Sequence, residues 1–325
     1  MKEEAVKRPL IILTGPTAVG KTALSIKLAK KVGGEIISAD SMQVYRHMDI
    51  GSAKIRPEEM EGVPHHLIDI LEPWEEFNVT VFQKKAKEAI ADIESRGRIP
   101  ILAGGTGFYI QAVLYDIDFT ENKEDTSIRT ALERTAREKG AEYLHQMLKE
   151  VDPQSAAQIH ANNVKRVVRA LEFFMQTGQK ISEHNERERG RESAYNACYF
   201  VLNDHRETVY ERIDRRVDKM LAEGLVEEVK ALKKMGCTRD LVSMQGLGYK
   251  EILGFLDGEY DLDRAVYLIK RDTRHFAKRQ LTWFRRERDV IWLDRQDFAS
   301  EEEILDQMIQ ECTDRKLFMK RGLVK

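Results

Sequence analysis

Eight residues narrow the choice of fold more than any others in the chain: Gly15-Pro16-Thr17-Ala18-Val19-Gly20-Lys21-Thr22. They follow a short apolar, β-compatible run, Leu10-Ile11-Ile12-Leu13, and lead into residues 22–32, which read as a helix. In a strand–loop–helix setting, the spacing G-x-x-x-x-G-K-T curls successive backbone N–H groups around an anion, and the helix directs its positive end at the same point. Lys21 supplies the compensating charge, Thr17 and Gly20 lie in the curled segment, and Thr22 is placed to hold a divalent cation. The reading is a phosphate-binding P-loop rather than a purely structural glycine turn.

Further apolar runs at 35–38, 66–70, 99–103 and 197–202 alternate with helical patterns at 80–95 and 207–220. That alternation predicts a parallel sheet covered by helices. Between Asp118 and Tyr195 the pattern changes to charged helices, with 126–139, 141–150 and 163–177 the clearest and Gly178 in a capping position. A structureless loop of roughly 75 residues is improbable, so this stretch is expected to be a helical insertion in the α/β body. The predicted organisation is a catalytic body from 1–117 and 196–325 interrupted by an insertion at 118–195. The polar run 183–192 reads as a mobile or solvent-facing connector. The C-terminal third reads as helices at 221–235, 248–256 and 261–286, a strand at 290–293 and a helix beginning near Ser300.

Phosphate binding alone does not name the chemistry. A kinase or ATPase usually adds a second carboxylate for magnesium. Asp69 is the candidate, after a weakly hydrophobic run, with a structural carboxylate as the alternative. Asp40 follows Ile36-Ile37-Ser38 and would reach the same strand-end crevice as the P-loop, either to accept a proton from an attacking amine or hydroxyl or to cap a turn. Gly104-Gly105-Thr106-Gly107 follows the apolar run Ile101-Leu102-Ala103 and brings either backbone donors and a hydroxyl or only a strand-to-helix turn. Arg206, in Asn203-Asp204-His205-Arg206, could brace a leaving pyrophosphate or lie on the surface.

The formal net charge of −2 gives no reason to expect a polyanion partner, so charge distribution has to decide. From Arg264 to Arg288 nine basic residues stand against Asp272 and Glu287. Helical spacing puts Arg271, Arg274 and Lys278 near one face, with Tyr267, Trp283 and Phe284 available for packing or stacking. In the insertion, Lys165 and Arg169 sit one turn apart, either along a phosphate backbone or on an ordinary helix surface. Cys198, Cys237 and Cys312 are too widely spaced for a zinc or disulfide framework. The charged start and the lack of a long apolar stretch predict a cytoplasmic protein with no membrane span.

Taken in order, these segments resemble the bacterial tRNA dimethylallyltransferase family, also called isopentenyl-diphosphate:tRNA transferases. The resemblance runs through the P-loop, Ile37-Ser38-Ala39-Asp40-Ser41-Met42-Gln43-Val44-Tyr45 and on to Gly51-Ser52-Ala53-Lys54, then Gly104 to Tyr109, Gln245-Gly246-Leu247-Gly248-Tyr249-Lys250-Glu251, and Thr273-Arg274-His275-Phe276-Ala277-Lys278-Arg279-Gln280-Leu281-Thr282-Trp283-Phe284-Arg285. Ser52 stands where relatives often carry threonine, a mild departure that keeps the hydroxyl.

The resemblance implies a P-loop NTPase-like α/β core with a helical insertion and a helix-rich C-terminal region. It implies transfer of a dimethylallyl group from dimethylallyl diphosphate to N6 of adenosine 37 in tRNAs that read codons beginning with U. The donor diphosphate would occupy Gly15, Thr17, Ala18, Val19, Gly20, Lys21 and Thr22 in place of ATP, with Mg2+ at Thr22. Asp40 would be the base, with Thr106 and Arg206 around the leaving group. Ser41, Met42 and Gln43 would face the flipped adenosine. Asn163, Val164, Lys165, Arg166 and Val167 would meet the anticodon stem-loop, joined by Arg274 and Lys278. No zinc site, membrane contact or obligate protein partner is implied, and a monomer is expected.

Overall fold

The computed structural model describes residues 7–119 and 127–318. The chain divides into two compact units, Met1–Leu114 with Ala194–Lys325, and Tyr115–Ser193. The first unit begins with β1 (Arg8–Thr14), α1 (Lys21–Val32), β2 (Gly34–Ala39), β3 (His65–His66), α2 (Val79–Ser95), β4 (Ile99–Gly104) and α3 (Gly107–Leu114). The second unit holds α4 (Ser127–Lys139), α5 (Ala141–Val151), α6 (Pro153–Gln158), α7 (Val164–Thr177) and α8 (Ile181–Arg189). The first unit resumes with β5 (Tyr195–Asn203), α9 (Arg206–Ala222), α10 (Leu225–Lys234), α11 (Tyr249–Leu256), α12 (Leu262–Phe284), β6 (Val290–Asp294) and α13 (Glu301–Asp314).

The sheet is parallel throughout, in the order β3-β2-β4-β1-β5-β6. Leu10, Ile11, Ile12 and Leu13 are all fully buried, as expected for a central strand covered on both faces. Ile11 and Leu13 share a core with Leu24 and Leu28 of α1, Phe200 of β5 and Met308 of α13. From β1 the chain turns to one side to build β2; from β4 it eventually passes to the other side to build β5. This reversal lies between β4 and β1, and their carboxyl ends carry the 104–107 turn and the P-loop. Such a topological switch is where open α/β sheets form ligand crevices.

Three expectations need correction. The run at 66–70 is not a strand: β3 ends at His66, and Leu67 and Asp69 adopt positive φ values of 62° and 53° that break extended pairing. The helix expected at 221–235 starts later, as α10 at Leu225: α9 runs on to Ala222, and Gly224 (φ 102°) reverses the backbone between the two. The 183–192 connector is helical over most of its length, as α8, which Ser182 helps anchor to the buried Asp152 carboxylate through bonds of 3.0 and 2.7 Å. Thr126, the expected first residue of the α4 helix, lies outside the described residues.

Within the second unit, Leu132, Leu144, Leu148, Val167, Val168 and Leu171 bring α4, α5 and α7 around one core. Asp152 caps α6 through the Ser155 N–H at 3.0 Å, and Gly178 ends α7 in the left-handed conformation.

Candidate active site

The P-loop is shaped by three residues at positive φ, Gly15 (146°), Ala18 (65°) and Gly20 (98°). At Gly15 the conformation is reinforced by crowding: a Cβ there would lie 2.1 Å from the Leu202 carbonyl oxygen of β5. Only glycine satisfies both conditions. Lys21 turns back over the loop and donates to the carbonyls of Gly15 (3.0 Å) and Pro16 (2.8 Å). Burial of its ammonium, helped by nearby Arg216 and opposed by Asp40, pulls its pKa down to about 7. These three groups therefore share one electrostatic environment, poised to gain from an anion.

Asp40 follows β2, and its Oδ1 accepts from the backbone N–H groups of Met42 (2.8 Å) and Gln43 (3.3 Å). The turn-capping alternative thus describes one oxygen. Oδ2 has no hydrogen-bond partner among the described residues. Gln43 is held inward, accepting from the Ser38 hydroxyl at 3.1 Å and donating to the Ala53 carbonyl at 3.3 Å. Ser41 and Met42 remain partly exposed beside it, and the Met42 methyl lies against Gly246.

Thr106 sits after β4, and its N–H donates to the Ala39 carbonyl at 3.2 Å. This bond joins the Thr106 turn to the residue immediately before Asp40. Arg206 opens α9 in an exposed position and lies over the Tyr210 ring, 5.2 Å from its centroid. The arginine that reaches the P-loop is Arg216, which donates to the Thr17 hydroxyl at 3.3 Å. Sequence reasoning passed over Arg216 because it lies inside a helix, Arg212 to Arg216 being a run of ordinary surface-helix character. Its signal would have been its place roughly three turns beyond Arg206, on the buried side of α9 next to Ile213 and Val217.

The loop following Asp40 is held from behind. Glu228 on α10 accepts from the N–H groups of Asp49 (2.8 Å), Ile50 (2.7 Å) and Gly51 (3.1 Å) and from the Tyr249 hydroxyl (2.8 Å). A Cβ at Gly51 would lie 2.6 Å from the Tyr249 ring. Asp69 is engaged by Lys54 at 2.5 Å, a side chain that also meets Asp49 and the Tyr45 carbonyl. The structural alternative for Asp69 fits this geometry.

On α12, Arg274 is paired with Asp214 (2.6 and 2.9 Å), whereas Lys278 is exposed without an ion pair among the described residues. In the second unit Asn163 precedes α7, Lys165 and Arg166 are exposed without ion pairs among the described residues, and Val164 is half-buried. Val167 is fully buried in that unit's core. Arg169 is engaged by Glu172 at 3.4 Å. Thr22 is exposed on the first turn of α1, and its hydroxyl has no partner among the described residues. No group of three or more His, Cys, Asp or Glu able to hold a metal occurs among them.

Residues 43–287 match the family model described as IPP transferase, and residues 9–76 match that described as isopentenyl transferase. The chain is 63% identical over 310 residues to a tRNA dimethylallyltransferase of Lachnoclostridium phytofermentans, covering 95% of this chain and 99% of that one. It is 54% identical to the tRNA dimethylallyltransferase of Carboxydothermus hydrogenoformans over 93% and 97% of the two chains. Among solved structures it resembles a full-length tRNA isopentenylpyrophosphate transferase of Bacillus halodurans, with 45% identity, a TM-score of 0.73 and coverage of 95% and 97%. It also resembles a eukaryotic dimethylallyltransferase acting on tRNA, with 29% identity, a TM-score of 0.81 and coverage of 97% and 82%.

Proposed function

The chain belongs to the tRNA dimethylallyltransferase family, and from that premise we propose that its P-loop crevice joins a dimethylallyl diphosphate donor to N6 of adenosine 37 in tRNAs reading codons beginning with U. It is a transferase acting on tRNA. The observation that carries the site assignment is the shared electrostatic environment of Lys21, Arg216 and Asp40 at the ends of β1 and β2.

N6 of the adenine attacks the allylic carbon bonded to oxygen, the C–O bond breaks, and diphosphate departs. The Asp40 carboxylate accepts the N6 proton through Oδ2 while Oδ1 remains held by its turn. Lys21, Arg216 and the loop amides stabilise charge collecting on diphosphate. The Thr106 hydroxyl is assigned a bond to the departing oxygens or the amine. In this reading Arg216 takes the role first considered for Arg206. Thr22 would hold Mg2+ through its exposed hydroxyl, and the cation would neutralise charge on the donor. Excluding water protects the cationic character that develops at the allylic carbon.

The acceptor base has to leave its stack to reach Asp40. We assign Asn163, Lys165 and Arg166 to the anticodon stem-loop, along with Lys278; the burial of Val167 gives it a supporting role. Ser41, Met42 and Gln43 border the adenine. A cytoplasmic monomer completes the proposal, the compartment following from the tRNA substrate. No helix among the described residues is long and apolar enough to cross a membrane.

The test is Asp40→Asn in a single-turnover reaction with saturating donor and tRNA. Loss of the base predicts a rate about 100-fold or more lower, within the range for a positioned proton acceptor, with both ligands still bound. A wild-type rate would remove Asp40 from the chemistry.

A further inference from the structure

The P-loop and the Thr106 turn are linked through one side chain that the proposed reaction does not use. Gln280 of α12 is only 6% exposed, and both ends of its amide are engaged. Its Oε1 accepts from the Thr17 N–H at 2.9 Å, and its Nε2 donates to the Gly105 carbonyl at 2.9 Å. The fit leaves no space at Gly105, where a Cβ would come within 2.2 Å of Gln280 Nε2. Three residues further along the same helix, Trp283 presses on Gly107, where a Cβ would lie 2.3 Å from the indole Cδ1.

Thr106 is therefore flanked by two glycines, each in close contact with a side chain of α12. Its own N–H is fixed to Ala39, next to Asp40. The carbonyls and amides around it leave little freedom for the turn to shift as a unit. We infer that Gln280 is a positioning residue, holding the diphosphate loop and the Thr106 hydroxyl at the separation required for alkyl transfer. Its amide suits this role because one end must accept from a backbone N–H and the other must donate to a backbone carbonyl. Glutamate can serve only the first contact, and methionine neither. The bond to Thr17 also aligns that residue's hydroxyl, which receives Arg216. One side chain thus sets the donor loop, the arginine that meets it and the turn opposite. Trp283 supports the same turn by shape.

This inference rests on the site reading above, with Thr106 as a participant, and the experiment separates the two. Single-turnover alkylation is measured for Gln280→Met, Thr106→Ala and the double variant, alongside donor KM, tRNA affinity and thermal midpoint. Gln280→Met keeps the volume and removes both hydrogen bonds; it is expected to slow alkylation about 100-fold, the cost of an ångström-scale misplacement. Donor KM and tRNA affinity should change by less than about threefold, because the ligand-binding groups remain present. In the Thr106→Ala background the same substitution should cost well under about 100-fold, since the part of its effect that acts through Thr106 is already lost and residues acting through one another are non-additive. Gln280→Glu, which retains the acceptor for Thr17, should recover part of the rate and serves as the reporting variant if Gln280→Met does not fold.

Full additivity of the Gln280 and Thr106 effects would overturn the positioning role while leaving Thr106 in the site. A rate loss in Gln280→Met matched by an equal rise in donor KM would overturn it too, making Gln280 a binding residue. A Thr106→Ala variant with the wild-type rate would instead overturn the site reading on which the inference stands.

Discussion

Lys21 is the residue whose chemistry the fold alters most. In the folded chain its pKa is lowered from 10.5 to about 7, first by burial and then by Arg216. The unfolded chain therefore binds more protons between those values, and the contribution of Lys21 to stability rises with pH across that interval. A bound diphosphate reverses the bias by favouring the ammonium. Donor binding at about pH 8.5 should then draw up nearly one proton per site, measurable by calorimetry in buffers of different ionisation enthalpy. Lys21→Met should abolish the uptake and weaken the donor; unchanged uptake would assign the proton to another group. The lysine was legible in the motif because the loop spacing demands it. The same logic failed for arginine: Arg206 stood next to a strand end, but only Arg216 reaches Thr17. Reach along a helix depends on which face is buried, and α9 turns Ile213 and Val217 inward together with Arg216.

At the scale of elements, α7 separates two kinds of residue that looked alike in the sequence. Lys165 and Arg166 are exposed, whereas Val167 belongs to the core. Replacing both cations with alanine should lower tRNA affinity and reduce the slope of log affinity against log salt by roughly 1 for each phosphate no longer neutralised, without weakening the donor. Equal slopes for the variant and the parent would exclude them from the RNA surface. The stability of the same unit depends on Asp152, whose buried carboxylate accepts from the N–H and hydroxyl of both Ser155 and Ser182. Burial acts to raise its pKa, but those bonds hold it below the ordinary value. Its stabilisation is thus present above the unfolded-state pKa and is lost as pH falls through the folded one. Asp152→Ala should cost about 2–4 kcal/mol. All three tryptophans, Trp74, Trp283 and Trp292, lie in the first unit, so helical circular dichroism should report an earlier transition while tryptophan fluorescence changes less. Coincident, unshifted transitions would refute the anchoring role. Periodicity revealed α5 and α7, but α8 was hidden: its mixed charges resemble a connector, and what anchors it is a carboxylate 30 residues before Ser182 in the chain.

For the whole molecule, parallel order follows from alternating apolar runs and helices, and the phosphate loop follows from eight residues. The order of the strands was less accessible. β4 inserts between β1 and β2, a pairing decided by long-range packing that local patterns do not encode, and this insertion brings Thr106 between the donor loop and Asp40. The short β3 was overestimated because His66 to Ile70 contains apolar residues whose positive-φ neighbours are invisible to a hydropathy pattern. The net charge of −2 hides cations that the fold sorts into paired and unpaired sets. Arg274 is committed to Asp214, while Lys278 remains exposed. The central claim is that this P-loop serves alkyl transfer rather than phosphoryl transfer. Its most direct test incubates the purified chain with unmodified tRNA and either dimethylallyl diphosphate or ATP, followed by nucleoside mass spectrometry and assays for diphosphate and phosphate. The account predicts N6-dimethylallyladenosine at position 37 with one diphosphate released per modified base, and no phosphate release coupled to ATP; phosphate released from ATP with no prenylated nucleoside would contradict it.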